Sequence, residues 1–209
     1  STGQQLLRSI EPEASVTLNG IVYRVGGAGG QKEKAYWQPS FANRLTTSDS
    51  DFRYKRLFTK TIESRMKGVN SYPAPKGIEL VCVYAASLPA LQGIEVQVHY
   101  ALYQGLPLIE KWVTIQNITG NTIHLNRVVH EILGLVEEES AVVGKPTEMK
   151  KQHGLYVETN YAFNNAMRYD ISDQTTHLKT DGSYTSQVNY NYETPCLLEI
   201  YPENAPGID

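Results

Sequence analysis

Two carboxylates about 5 to 10 Å apart across a sugar ring can hydrolyse a glycosidic bond, and a histidine beside a glutamate can move protons at sugar oxygens. The chain has 209 residues, of which 22 are acidic and five are histidines. Most of these read as solvated. Glu137, Glu138 and Glu139 end a strand-like run where adjacent side chains diverge, and Asp170 and Asp173 fall in a polar turn. The imidazoles are His99, His124, His130, His153 and His177. None has the i, i+2 or i, i+4 spacing that would put two of them on one metal ion. His130 and Glu131 are neighbours in a strand-like run, so their side chains point to opposite faces and do not cooperate. Spacing therefore brings no carboxylate pair and no His/Glu pair to one site, and no catalytic or metal-binding residue is assigned.

Other chemical signals are weaker. The glycines of GGAGG, residues 26–30, follow a strand, but QKEKAYWQPS after them lacks an apolar helical face, so no helix N-terminus is ready for a phosphate. No cofactor motif is found. Asn117-Ile118-Thr119 matches the glycosylation pattern. Cys82 and Cys196, the two cysteines, exclude a disulfide scaffold and a four-cysteine zinc site, and read as small core residues. The tryptophans carry more. Trp112 lies on the polar side of an alternating strand, where an indole either stacks on a sugar ring or packs against another domain. Trp37 lies in an irregular connection beside Tyr36 and Pro39. These two are the candidate carbohydrate or domain contacts.

The elements that must hold them are strands. With 41% hydrophobic and 20% charged residues and a net charge of -3, the composition suits a folded domain and disfavours nucleic acid as a partner. The longest apolar run, Leu80 to Leu91, is interrupted by Ser87 and Pro89 and falls short of the roughly 20 residues of a membrane helix. No stretch of twelve residues carries apolar positions at three-and-four spacing. Asn19-Gly20 between two β-rich runs predicts a hairpin from Val16 to Val25. Further runs lie at Phe52 to Phe58, Thr61 to Met66, Ile78 to Ala86, Ile94 to Gln104, Leu108 to Ile118 and Thr122 to Val136. Shorter ones lie at Leu155 to Phe163, Thr175 to Lys179, Thr185 to Tyr192 and Cys196 to Tyr201. Alternation assigns Ile94, Val96, Val98, Tyr100, Leu102, Ile109, Val113 and Ile115 to a core between two sheets, with Glu95, Gln97, His99, Trp112 and Thr114 on the other side.

The block IEVQVHYALYQGLPLIEKWVTIQNITGNTIHLNRVVHEIL resembles the N-terminal β-supersandwich domain of α-galactosidase-like glycoside hydrolases, a galactose-mutarotase-like fold. The likeness is a long strand, a Gly-x-Pro turn, a strand with Lys111-Trp112, an Asn-containing turn at Asn117 to Asn121 and a second long strand from Ile123 to Leu133. VTLNGIVYRVGG, SYPAPKGIELVCVY and YTSQVNYNYETPCLLEIYPENAPGID extend it over nearly the whole chain. The resemblance implies an all-β fold, a large antiparallel two-sheet supersandwich spanning residues 1–209 as one domain. It further implies the N-terminal, non-catalytic part of a carbohydrate-active enzyme, supporting or bordering a catalytic (β/α)₈ barrel that would follow Asp209. Such a barrel needs about 250 residues of its own. The alternatives are a free-standing carbohydrate-binding module and an aldose epimerase of the mutarotase type. The implied partners are a barrel of the same polypeptide, carbohydrate and a second copy of the chain, with no nucleic acid, membrane or cofactor. The implied setting is periplasmic or secreted. A missing neighbour would leave an exposed sheet edge or apolar patch.

Overall fold

A computed structural model describes residues 7–29, 39–63, 75–135, 157, 159, 176–179 and 197–202. Within them the chain is all-β. The strands in chain order are β1 (Leu7–Ser9), β2 (Ala14–Leu18), β3 (Ile21–Val25), β4 (Phe52–Thr61), β5 (Gly77–Ala86), β6 (Ile94–Tyr103), β7 (Ile109–Asn117), β8 (Leu125–Val129), β9 (Glu131–Leu135), β10 (Thr176–Lys179) and β11 (Leu197–Ile200). Short 3-10 turns at Pro39–Arg44 and Pro89–Leu91 are the described helical elements. Trp37, His153, Cys196, Glu137 to Glu139, Asp170, Asp173 and the runs expected at 155–163 and 185–192 fall wholly or largely outside the described residues.

The strands form a curled seven-stranded sheet, ordered β7-β6-β5-β4-β3-β2-β8, and a four-stranded sheet, ordered β1-β9-β11-β10. The β2–β3 hairpin turns on Asn19 and Gly20 with φ of 50° and 79°, the left-handed pair that matches strand twist. Asn19 is held there by its side chain, which accepts the His124 N–H at 3.0 Å, while Asn126 accepts the Gly20 N–H at 2.8 Å. The β4–β7 strands are nine or ten residues long and pair antiparallel with nearly continuous register. The β3–β4 junction is the exception: one parallel pairing, Val25 with Phe52, joins the two halves of the sheet.

That narrow junction lets the sheet fold over its own core. Ala14, Val16, Leu18, Tyr23 and Val25 from one half meet Tyr84, Ile94, Val96 and Val98 from the other, with Phe52, Leu91 and Val128 completing the cluster. Phe52 packs edge-on against Tyr23, ring centroids 6.2 Å apart. The expected core between two sheets is thus a core between two halves of one sheet. Burying each aliphatic side chain contributes about 1.5–3 kcal/mol.

Three other expectations change. Leu102 and Ile109 are exposed, at 45% and 64%, as is their cross-strand neighbour Ile78. They lie beyond Tyr100 and Lys111, whose polar ends close the core on that side. The single run expected from Thr122 to Val136 is two strands in different sheets: β8 pairs with β2, and β9 with β1 and β11. His130 sits at the switch, its N–H already donated to Ile200 O at 2.7 Å. Gly134 permits β1 to approach here, because a Cβ at that position would collide with the Ser9 hydroxyl. Finally, the run expected at Phe52 to Phe58 extends to Thr61, with a register shift between Tyr54 and Arg56 absorbing Lys55, while Ile62 and Glu63 of the run expected at Thr61 to Met66 are not strand and its residues 64–66 lie outside the described residues.

Val98→Ala should cost about 1 to 5 kcal/mol, through lost burial and a residual cavity. Ile109→Ala should stay within about 0.5 kcal/mol, as surface changes do. Equal denaturation midpoints for the two variants would place the core elsewhere.

Candidate functional site

Strand register assembles a polar constellation on the outer face of β4–β7. Gly77 pairs with Tyr103, so Val81 lies opposite His99 and Glu79 lies diagonal to it; Lys60 lies opposite Glu79. On the other side His99 faces Trp112, with Thr114 diagonal. Diagonal neighbours are within reach of long side chains. Glu79 Oε1 is 2.8 Å from His99 Nδ1, and His99 Nε2 is 2.8 Å from Thr114 Oγ1. Lys60 Nζ pairs with Glu79 Oε1 at 3.2 Å. Glu79 and His99 are only 3% and 6% exposed, whereas Thr114 is exposed. The carboxylate and imidazole are enclosed, with the hydroxyl as their solvent-facing end.

Trp112 is half-buried and stacks nearly parallel on His99, centroids 4.8 Å apart and planes 10° apart. Its orientation follows from the cross-strand pairing, and the polar side expected for it is the side it occupies. Along the same face run Glu110, which accepts the Tyr103 hydroxyl, and Gln116. The structure thus gathers Trp112, His99 and Thr114 with a glutamate that sequence spacing did not single out. Glu79 carried one signal: a charge at a mid-strand position of GIELVCVYAA, on the side that alternation shares with Val81 and Val83.

The remaining candidates are dispersed. His124 lies near the β2–β3 turn, and His177 stacks on Tyr201 at 3.9 Å. The Asn117 amide is committed to its own turn, donating to Asn121 O at 2.9 Å and accepting from Thr119 N and Oγ1 at 3.0 and 2.7 Å. The glycine run leads into a strand pairing instead of a phosphate loop: Gly26 N donates to Phe52 O, and Gly29 bridges Thr46. Among the described residues, no three His, Cys, Asp or Glu side chains converge as metal ligands, and no helix is long and apolar enough to cross a membrane.

A second cluster lies on the inner face, where the sheets meet. Lys111 Nζ donates to Glu13 O at 2.6 Å and to Glu131 Oε1 at 2.8 Å, with Glu13 Oε2 at 3.6 Å. Its side chain is 10% exposed and its ammonium lies 5.3 Å from the Tyr100 ring centroid. Tyr100 donates its hydroxyl to Glu13. Burial pushes the Glu131 carboxyl above its usual range, with Lys111 opposing. Burial also holds the His130 imidazole low, assisted by the Lys111 charge. The Tyr100 and Tyr84 phenols and the Cys82 thiol are raised, first by burial and then by Glu13. Two carboxylates therefore do share a site here. The Lys111 ammonium lies between them, so the cluster acts as a lock between sheets.

Comparison of the chain with protein-family models, with curated proteins and with solved structures gives no match.

Lys111→Met should destabilise by about 3 kcal/mol, the lower end for breaking a buried pair, because Glu131 is left without its cation. A loss below about 0.5 kcal/mol would mean that the lock contributes nothing. The His130 shift predicts a pH effect. As pH falls through about 6.5, the ordinary imidazole range, the unfolded chain takes up this proton before the folded one, so stability falls with pH. Glu131 acts oppositely: the folded chain binds its proton first, and that contribution is lost as pH rises. His130→Asn should therefore flatten the decline in urea midpoint between about pH 6.5 and 5. A slope unchanged by the substitution would remove His130 from the acid response.

Proposed function

We propose that the chain is a non-catalytic β-supersandwich domain of a carbohydrate-active enzyme of the α-galactosidase-like kind, and that its β4–β7 outer face borders a sugar site. The observation that carries the proposal is Trp112. Its indole is half-buried, fixed by the stack on His99, and flanked by the hydroxyl, carboxylate and amide of Thr114, Glu110 and Gln116. An amphipathic ring held rigid among donors and acceptors suits the apolar face and polar rim of a sugar, because little side-chain entropy remains to be lost on binding. The all-β architecture supports the reading, as does the Lys111-Trp112 strand, whose two members face opposite sides for different purposes. On this reading a (β/α)₈ barrel of the same polypeptide carries the reaction and the protein works in a periplasmic or secreted setting.

The Glu79–His99 contact favours one alternative, an aldose epimerase of the mutarotase type, since it brings a His and a Glu together. Both imidazole nitrogens are already engaged, however, and both residues are over nine-tenths buried. The group this imidazole meets first is the Thr114 hydroxyl, not a sugar oxygen. The purified chain should leave galactose mutarotation and nitrophenyl galactosides and glucosides at their uncatalysed rates.

The deciding experiment reads the coding sequence beyond Asp209 and assays the full polypeptide with Trp112→Ala. A downstream barrel is expected, with KM for the glycoside raised about tenfold, a loss of about 1.4 kcal/mol, kcat retained and the variant still folded at the assay temperature. A full polypeptide lacking a barrel, or a KM indifferent to Trp112, would overturn the proposal. In the first case, saturable oligosaccharide binding by the chain alone would identify a free-standing binding module instead.

A further inference from the structure

We propose that Glu79, His99 and Thr114 form a nucleophilic site, in which the Thr114 hydroxyl attacks the carbonyl carbon of a small carboxylic ester. The inference goes beyond the sugar-bordering role, in which the domain is non-catalytic towards glycosides, shares the same outer face with it, and rests on four observations.

The first is the hydrogen-bonded chain itself: carboxylate to Nδ1 at 2.8 Å and Nε2 to hydroxyl at 2.8 Å. A nucleophile in contact with a base that a third group orients is the arrangement that activates hydroxyls. The second is the tautomer this chain imposes. Glu79, ion-paired with Lys60, offers only acceptors, so Nδ1 carries the proton of the neutral imidazole and Nε2 is left to accept the Thr114 proton. The hydroxyl oxygen then turns its lone pairs outward. The third is exposure: the acid and base are enclosed and backed by the Trp112 ring, while Thr114 reaches solvent.

The fourth is an oxyanion donor. Ile118 N donates to Gly93 O, its partner in the extended β6–β7 register, which makes this a hydrogen-bonded pair. Antiparallel ladders alternate, so Thr114 N–H also turns towards β6, and Ile115 N–H turns away from it. β7 is the outermost strand of its sheet among the described residues. The N–H of the residue after the nucleophile therefore points away from β6, on the side with no partner strand among the described residues, where such a donor serves an oxyanion in hydroxyl-based hydrolases.

The reaction balances without a cofactor. Thr114 Oγ1 forms a bond to the carbonyl carbon as its proton passes to His99 Nε2. The ester C–O bond then breaks, and the departing alkoxide takes that proton, leaving an acyl-threonine and an alcohol. Water, deprotonated by the same nitrogen, attacks the acyl carbonyl and releases the acid, with the proton returning to Thr114. One backbone donor is weaker than the usual two, so formation of the acyl-threonine is the step to read.

The test treats the chain with p-nitrophenyl acetate and follows nitrophenolate release, intact mass and peptide mapping. One acetyl group on Thr114 is expected. Thr114→Val, at an exposed strand position, should stay folded and lose the adduct. Thr114→Ser should retain it, and His99→Gln should slow labelling by about a hundredfold or more. Acetylation confined to lysines, an unaltered adduct in Thr114→Val, or labelling of folded Thr114→Ser at the background rate would each overturn the proposal.

Discussion

One enclosed ammonium links the two sheets. Lys111 leaves β7 on its inner side, reaches the backbone of Glu13 just before β2, and ends on Glu131 at the start of β9. It therefore touches both halves of the curled sheet and the first residue of β9 in the second sheet. A charge this enclosed is costly to desolvate, and the cost is offset only because two carboxylates, a carbonyl and the Tyr100 ring surround it. Removing Lys111 leaves Glu131 largely enclosed without its cation. That makes the cluster a specifier of arrangement more than a source of net stability.

Around it, the seven-stranded sheet solves the problem of burying both faces of its long strands. The inner face of β6 is aliphatic and packs on β2 and β3. The outer face also buries Val81, Val83 and Ala101 completely. Long polar side chains share this face: Arg56 and Lys55 from β4 converge on Glu95, and Lys60 pairs with Glu79. Lys and Arg stems supply apolar cover while their charged ends stay wet. The enclosed Glu79–His99 pair is a consequence, since a histidine among such neighbours needs a partner for each nitrogen.

Function follows from this asymmetry. The inner polar cluster pairs its own charges, with Lys111 on Glu13 and Glu131. The outer constellation ends on an exposed hydroxyl and a half-buried indole, both on β7, the outermost described strand of its sheet. The proposed chemistry and recognition use the outer face, with rigidity supplied from beneath by β5 and β6.

Much of this was legible in the chain. Asn19-Gly20 determined its hairpin because few residue pairs tolerate two successive positive φ angles. The alternation from Ile94 determined which side of β6 is aliphatic, because side chains in a strand have a period of two. The polar side of Trp112 came from the same arithmetic. Alternation says nothing about where cover ends, so Leu102 and Ile109 carried a core pattern into solvent. It does not sense a strand changing partners either, so Thr122 to Val136 read as one run although His130 divides two sheets. The candidate sites were least visible. Glu79 lies 20 positions from His99, and Glu13 lies 98 from Lys111. Such contacts depend on register between strands and on the fold of the sheet, quantities set by the whole ladder at once and by no local spacing. The sequence by itself determined strands, turns and faces, because these are local properties of the backbone. Tertiary structure alone decided which charged groups meet, because pairing is a property of the assembled sheet.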